Sequence, residues 1–337
     1  MSSRPDLSIV IVNWNSAAYT AACVSSIRKQ THDLQYEIVV VDNCSTDNSV
    51  EVLKQISGIG LIVTSTNLGF ARANNLGYQQ SLANVLLFLN PDTNVKGSAI
   101  SEMYKALLSQ STFGVVGCKL LNTDLSLQTS CVQAFPTILN QLTDVEALKV
   151  RLPDVRMWGI SALFRNPSGP VPVEVVSGAC LMTHREVFED VGMFSTDYFM
   201  YGEDVDLCHK VMRTGLEIAY VPSAVVIHHG GQSSRKRDDS FFGDIVTRET
   251  TRLFLAKTRG QFYARVYRVA MSVAAILRLL VLPFIPSSWM GVDRDQLSAT
   301  KRKWERILSW SLGRESWVDE LNVVPSVTAQ SRIVRAA

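Results

Sequence analysis

The stretch "VLLFLNPDTNV", Val85–Val95, decides how the first half of the chain is read. Val85–Leu89 is a continuous apolar run, which fits a strand buried on both faces, and it stops at Asn90-Pro91-Asp92. Asn, Pro and Asp are turn formers, so a turn alone accounts for this stretch taken by itself. The rest of the chain asks more of it. "LSIVIVN" (Leu7–Asn13), "YEIVVVDN" (Tyr36–Asn43) and "GLIVTS" (Gly60–Ser65) are further β-branched runs, and "FGVVGCKL" (Phe113–Leu120) reads as another. Helical segments lie between them: about residues 16–30, then "STDNSVEVLKQIS" with Ser45 or Thr46 as cap, then "GFARANNLGYQQSLA" with Gly69 near its start. Strands alternating with helices of this length predict an α/β fold with a mostly parallel central sheet flanked by helices.

In such sheets ligands bind beyond the carboxyl ends of the strands. Here those ends carry Asn13, Asp42, Asn67 with Gly69, and Asn90 with Asp92. Successive strands that deliver Asn or Asp to one edge exceed what turn chemistry requires, and they predict a site. No G-x-G-x-x-G follows the first strand and no G-x-x-x-x-G-K-[ST] occurs, which disfavours a classical dinucleotide fold and a P-loop.

At 337 residues, with 47% hydrophobic and 19% charged, the chain can bury a sizeable core in one large or two modest domains. The net charge of +2 hides an asymmetry. From Thr251 to Ala337 there are 14 Lys/Arg against 6 Asp/Glu, a net of +8, and the remainder carries −6. A basic tail of this kind suggests contact with something anionic. The six cysteines form no C-x-x-C pair, so buried thiols in a reducing cytosol fit best. The apolar run Leu7–Val12 is too short for a signal peptide and lacks a small-residue cleavage site.

Six stretches in order resemble the family-2 glycosyltransferases of the GT-A fold, in particular their rhamnosyltransferase-like subgroup. They are "SIVIVNWN", "VVVDNCSTDNS", "NLGFARANNLG", "LLFLNPDT", "VSGACLMTHREVFEDVGMFSTDYFMYGEDVDLCHKVMRTG" and "VVIHHGGQSS", and the resemblance covers about residues 7–234. It implies inverting transfer of a sugar, rhamnose among the candidates, from a dTDP- or UDP-sugar to a glycan or lipid-linked acceptor in cell-surface polysaccharide synthesis.

By this resemblance, Asn90-Pro91-Asp92 stands where the family has a D-x-D-type motif that holds Mg2+ or Mn2+ on the donor diphosphate. Asp92 supplies the anionic oxygen a hard cation prefers, and Asn90 offers only a neutral carbonyl oxygen, or contacts ribose or water. Asp42 would accept the imide N–H of uracil or thymine, with Asn13 against the same base. Asn67 and Gly69 would pass beside the sugar-phosphate, and Asn74 would meet donor or acceptor hydroxyls. Arg72 reads equally as a phosphate partner or a solvated helix face. The pair Glu203-Asp204 opens a helix, which suits its dipole; the resemblance makes Asp204 the catalytic base and Glu203 its helper on the acceptor. Asp206 should point elsewhere. Strand alternation sends His228 and His229 to opposite faces, and motif position selects His228 as a metal ligand. Gly230 and Gly231 would form a loop over the diphosphate. The segment Cys131–Val173 has no clear period and is read as shaping the acceptor site.

The expected organisation is a catalytic domain over residues 1–250, with a nucleotide half to about 120 and an acceptor half to about 235. A helical, basic region follows over residues 251–337. In it, Val269–Ile285 is an apolar run of 17 residues interrupted by Arg278, short of the roughly 20 a span needs. It reads as a segment lying on an anionic membrane, at the inner face of the cell membrane, or as a core helix. No nucleic-acid partner is expected, and the oligomeric state is open. A sugar-nucleotide pyrophosphorylase and an inactive nucleotide-sugar-binding scaffold are the alternatives. The first wants a Gly-rich basic loop where this chain has "NWNSAAYT".

Overall fold

A computed structural model of the protein describes residues 4–230, 241–284, 294–322 and 332–335. Two compact units emerge: Met1–Phe135, Lys149–Lys236 and Ser326–Ala337 in the first, and Pro136–Leu148 with Arg237–Pro325 in the second. The sequence reading put this boundary at residue 250. The helical unit instead begins earlier and takes in the short segment Pro136–Leu148.

The first unit is built on one large sheet. Strands β1 (Leu7–Asn13), β2 (Tyr36–Asp42), β3 (Gly60–Val63) and β4 (Val85–Leu89) run parallel, as their near-continuous apolar runs predict. Every residue of β1 and β4 is buried. Helices α1 (Ala17–Gln30), α2 (Ser49–Lys54), α3 (Gly69–Gln79) and α4 (Ala99–Ser109) alternate with them. A short β5 (Thr93–Lys96) follows the Asn90-Pro91-Asp92 turn, and β6 (Phe113–Leu121) follows α4. Next come β7 (Val132–Gln133), β8 (Val171–Val173), β9 (Val175–Val176), β10 (Cys180–His184), β11 (Glu217–His228) and β12 (Arg332–Arg335). The sheet order is β12-β3-β2-β1-β4-β10-β6-β11-β5, with β8 beside β11 and β7–β9 as a separate ladder.

Two features of this sheet place the site. The antiparallel β10 sits between β4 and β6, which brings the turn before it, Ser177–Ala179, next to the end of β4. The second is β11, which is 12 residues long. It runs parallel to β6 with an irregularity between Val221 and Val225, where Pro222 cannot donate to the ladder. Its far end pairs with β5, so His228 stands opposite Thr93, one residue from Asp92.

Between β7 and β8 the Cys131–Val173 stretch holds short helices, α5 (Ile138–Leu142), α6 (Glu146–Arg151) and α7 (Ser161–Phe164). Then α8 (Arg185–Asp190) and α9 (Glu203–Arg213) complete the first unit, and Leu207 and Val211 of α9 are buried as their spacing predicts.

In the second unit, α10 (Phe242–Arg259), α11 (Gln261–Val281), α12 (Arg294–Ser311) and α13 (Trp317–Asn322) follow one another. Glu249, 4% exposed, accepts from Trp310 Nε1 at 3.0 Å and pairs with Arg252. The helical stretch Gln261–Phe284 is 24 residues, longer than the apolar run suggests, and by length and composition it could cross a membrane. Arg278 turns inward. It donates to the Leu142 carbonyl at 2.7 Å and lies over the Trp304 ring at 4.2 Å.

Candidate active site

The parallel register sets Asn13 directly beside Asp42. Both are fully buried. Asp42 Oδ1 accepts from Asn13 Nδ2 at 2.7 Å and Ser45 Oγ at 2.6 Å, and its Oδ2 accepts from the Ser45 N–H at 3.1 Å. Asn13 Oδ1 accepts from Thr20 Oγ1 at 2.8 Å and from Ser16 Oγ at 3.2 Å. This closed network fixes the strand-end edge. It also corrects the reading of Ser45 and Thr46 as helix caps. Helix α2 starts later, after Asn48, and Asp47 Oδ1 accepts the Ser49 N–H at 3.0 Å.

Asn43, which the sequence reading did not single out, ties the end of β2 to the start of α3. It donates to Asn67 Oδ1 at 3.0 Å and accepts from the Leu68 N–H at 2.8 Å. Asn67 Oδ1 also takes the Gly69 N–H at 3.0 Å. Gly69 is required, but by protein: at φ +77° a Cβ would stand 2.4 Å from the Phe199 carbonyl oxygen. Asn74 lies on α3, one turn past Phe70. It is buried, and its amide donates back to the Phe70 carbonyl at 3.0 Å. Arg72 is no solvated helix face, because its Nη2 is buried and lacks a hydrogen-bond partner.

At the end of β4, Asp92 Oδ1 and His228 Nε2 face each other at 3.3 Å, with side chains 6% and 14% exposed. Asn90 Nδ2 lies 3.2 Å from the same Nε2, and Asn90 Oδ1 is buried without a partner. His228 Nδ1 meets Gln128 Oε1 at 2.8 Å. His229 has other partners: its Nδ1 lies 2.9 Å from Thr123 Oγ1, and its N–H donates to the Asp92 carbonyl at 2.9 Å. Gly230 follows at φ +56°. Gly231, the other half of the expected loop, lies outside the described residues.

Among the described residues no cluster of three or more His, Cys, Asp or Glu could hold a metal alone. Asp92 and His228 nevertheless fit one. A carboxylate and an imidazole nitrogen converge at a buried point beside an unpartnered amide oxygen, and a phosphate-bearing ligand would supply further oxygens.

Glu203 and Asp204 open α9 after Gly202, which has φ +86°. Asp204 Oδ2 accepts the Gly178 N–H at 2.8 Å, and Oδ1 accepts the Val205 N–H at 2.8 Å. Burial raises the Asp204 carboxyl above the usual range, and these two hydrogen bonds pull it back. Glu203 is buried with Oε2 unpartnered, and burial, then the neighbouring Asp204, pushes it well above the carboxylate range. Asp206 points elsewhere, as expected, towards Ser195, Tyr198 and Lys210. The Asp204 and Asp92 elements meet through one turn: Gly178 donates to Asp204, and the next carbonyl, Ala179, accepts the Asn90 N–H at 2.9 Å.

A mostly parallel α/β sheet flanked by helices, with polar residues gathered at its strand ends, is the GT-A architecture. Comparison gives the particular family. The family model described as Glycosyl transferase family 2 matches residues 8–192, and that of Glycosyl transferase family group 2 matches residues 136–294. The chain belongs to glycosyl transferase family 2. It is similar to the low-salt glycan biosynthesis hexosyltransferase Agl10 of Haloferax volcanii, 25% identical over 70% of this chain and 71% of that one. It is also similar to the N-acetylglucosaminyl-diphospho-decaprenol L-rhamnosyltransferase of Mycobacterium tuberculosis, 25% identical over 81% and 91% of the two chains. In fold it matches the mannosyltransferase PcManGT of Pyrobaculum calidifontis, solved with GDP-Man and Mn2+. The TM-score is 0.58 at 15% identity, covering 93% of this chain and 88% of that one.

Proposed function

We propose that the protein is an inverting, metal-assisted glycosyltransferase. It moves a sugar, rhamnose among the candidates, from a dTDP- or UDP-sugar to a glycan or lipid-linked acceptor of cell-surface polysaccharide assembly. One observation carries the reading: the Ser177–Ala179 turn bonds both to Asp204 and to the backbone beside Asp92 and His228, so base and diphosphate site are held by one rigid element. Asp204 takes the acceptor hydroxyl proton while that oxygen attacks the anomeric carbon, and the bond to the diphosphate breaks with its electron pair on the phosphate oxygen. Displacement from the opposite face inverts the centre. Asp42 already accepts from three donors, and a base imide N–H would be the fourth its two oxygens can take. A divalent cation, Mg2+ or Mn2+, held by Asp92 and His228 would neutralise the charge gathering on the leaving diphosphate.

The rhamnosyltransferase relative is named for a diphospho-decaprenol acceptor, a lipid. This supports a membrane location for the second unit. The outer face of α11 presents Val266, Val269, Val273, Ile276 and Leu280, spaced three and four apart and all exposed, opposite the buried Ala264, Tyr267, Met271 and Ala275. Such a face on a unit from the basic part of the chain fits an anionic membrane surface, with α11 lying in the interface rather than crossing it.

A thermal-shift screen of nucleotide sugars with and without Mn2+ tests the donor reading. A bound donor raises the melting temperature by mass action. A rise with dTDP- or UDP-sugars that needs Mn2+ is the expected result. No response to any nucleotide sugar would overturn it.

A further inference from the structure

The side chains behind His228 form a chain with one direction. Asp124 anchors it. Its Oδ1 accepts from the Ser126 hydroxyl at 2.6 Å and from the Ser126 N–H at 3.0 Å, and these bonds hold the carboxyl below its ordinary value, so it is ionised at neutral pH and only accepts. With its proton committed to Asp124, Ser126 Oγ is the acceptor for Asn122 Nδ2 at 2.9 Å. The Asn122 amide is thereby oriented, and its Oδ1 accepts from Gln128 Nε2 at 3.0 Å. Gln128 in turn presents Oε1 to His228 Nδ1 at 2.8 Å. A carbonyl oxygen cannot donate, so Nδ1 carries the hydrogen. In the neutral ring the lone pair is then on Nε2, the atom that lies 3.3 Å from Asp92 Oδ1 and 3.2 Å from Asn90 Nδ2.

The backbone keeps the chain rigid. Residues 122–126 form a tight turn closed by Asn122 N–H to Ser126 O at 2.8 Å and Leu125 N–H to Asn122 O at 2.9 Å. Gln128 N–H returns to the Leu120 carbonyl of β6 at 2.9 Å. In the β6–β11 ladder Ile227 pairs with Leu121, so the residues after them, Asn122 and His228, lie at the same level.

We propose that Asp124, Ser126, Asn122 and Gln128 form a one-way hydrogen-bond relay that fixes His228 as its Nδ1–H tautomer and turns the Nε2 lone pair, with Asp92, towards a divalent cation. Gln128 is the positioning residue. An outer partner of this kind fixes the ring orientation and the nitrogen that binds metal. The Asn90 amide faces that lone pair at 3.2 Å, and a bound cation would take its place. The cation part rests on the metal-assisted reading above; the tautomer part does not.

The test uses the full chain with 15N-labelled histidine in EDTA, with the His228 resonances assigned by their loss in His228→Ala. Long-range nitrogen–proton correlation should show a protonated Nδ1 and a bare Nε2. Gln128→Met should lose that fixed tautomer, and Gln128→Glu should keep it. A second readout is Mn2+ affinity in the presence of UDP or dTDP, which Gln128→Met should lower about 10- to 100-fold. Ser126→Ala, in an exposed turn where folding is not at risk, should lower it in the same direction by less. An Nε2–H tautomer in the wild type overturns the proposal, as does a Gln128→Met protein with unchanged tautomer and affinity. Wild type that shows Nδ1–H but binds no Mn2+ supports the relay and overturns the metal reading.

Discussion

Asp204 Oδ2 accepts the backbone N–H of Gly178 at 2.8 Å, and a Cβ on Gly178 would stand only 3.2 Å from the Cβ of Asp204. The carboxylate is therefore held by a backbone that leaves little room to shift. It keeps a raised affinity for protons through burial and remains partly exposed, which are the properties a general base needs.

The first expected outcome follows from this contact. Asp204→Asn should fold and bind donor, yet transfer should fall roughly 100- to 10,000-fold, since the amide cannot take the acceptor proton. Gly178→Ala should lower kcat by pushing the carboxylate aside while leaving donor affinity near wild type. Steady-state transfer rates beside donor-binding isotherms decide it. Turnover of Asp204→Asn within threefold of wild type excludes this residue as the base.

Asp92 and His228 give the second. Asp92→Ala and His228→Ala should each weaken Mn2+-dependent donor binding, while free nucleoside binding, which rests on the Asn13–Asp42 edge, changes little. EDTA should abolish transfer and Mn2+ or Mg2+ restore it. Asn90→Asp should tighten Mn2+ binding, because a carboxylate replaces an amide beside the same point. Transfer that survives EDTA undiminished sinks the shared-cation reading.

How far the sequence carried depends on the range of the interactions involved. Strands β1 to β4 and helices α1 and α3 were legible because buried parallel strands are written as continuous apolar runs between helical segments. The edge residues Asn13, Asp42, Asn90 and Asp92 followed from where those runs stop. The antiparallel β10 was not legible, since "CLMTH" has no period of its own and its place between β4 and β6 is settled by distant partners. Gln128 was missed for the same reason: it sits in the polar stretch "NTDLSLQ", and only the β6–β11 register brings it to His228. At Asn74 the helix was foreseen, but a helical period does not say that its amide bonds back to the Phe70 carbonyl.

Glu203 gives a prediction about stability and pH. Its ordinary value is 4.5, and burial followed by the charge of Asp204 raises it well above that in the fold. The sign follows from linkage. Below 4.5 both folded and unfolded chains hold the proton, so the residue costs nothing. As pH rises above 4.5 the unfolded chain ionises first, and each pH unit up to the folded value removes about 1.4 kcal/mol of stability. Glu203→Gln, which is never charged, should therefore melt above wild type at pH 7.5, with the gap closing as pH falls to 4.5. Melting curves across this range test it. A gap that stays constant with pH would show that Glu203 is not held protonated.

The exposed face of α11 gives the last. The helical stretch Gln261–Phe284 is roughly 36 Å long at 1.5 Å per residue. Its outer stripe carries no Asp or Glu, while its inner face is spent on the second unit, with Arg278 bonded to Leu142. A crossing helix would have to strip off those inner contacts and carry a central arginine into hydrocarbon, at about 2.5 to 3.5 kcal/mol even on the lenient insertion scale. Lying in the interface costs neither, and Arg265, exposed at the edge of the stripe, can meet anionic headgroups. The full chain should co-sediment with vesicles containing anionic lipid, less so in high salt, and withstand neither Val273→Glu nor Leu277→Glu. Both positions are more than half exposed, so neither change threatens the fold. Equal sedimentation of wild type and variants, or binding indifferent to salt, would rule out this docking. A dimer that the same substitutions split, without any vesicle binding, would instead assign the stripe to a second copy of the chain.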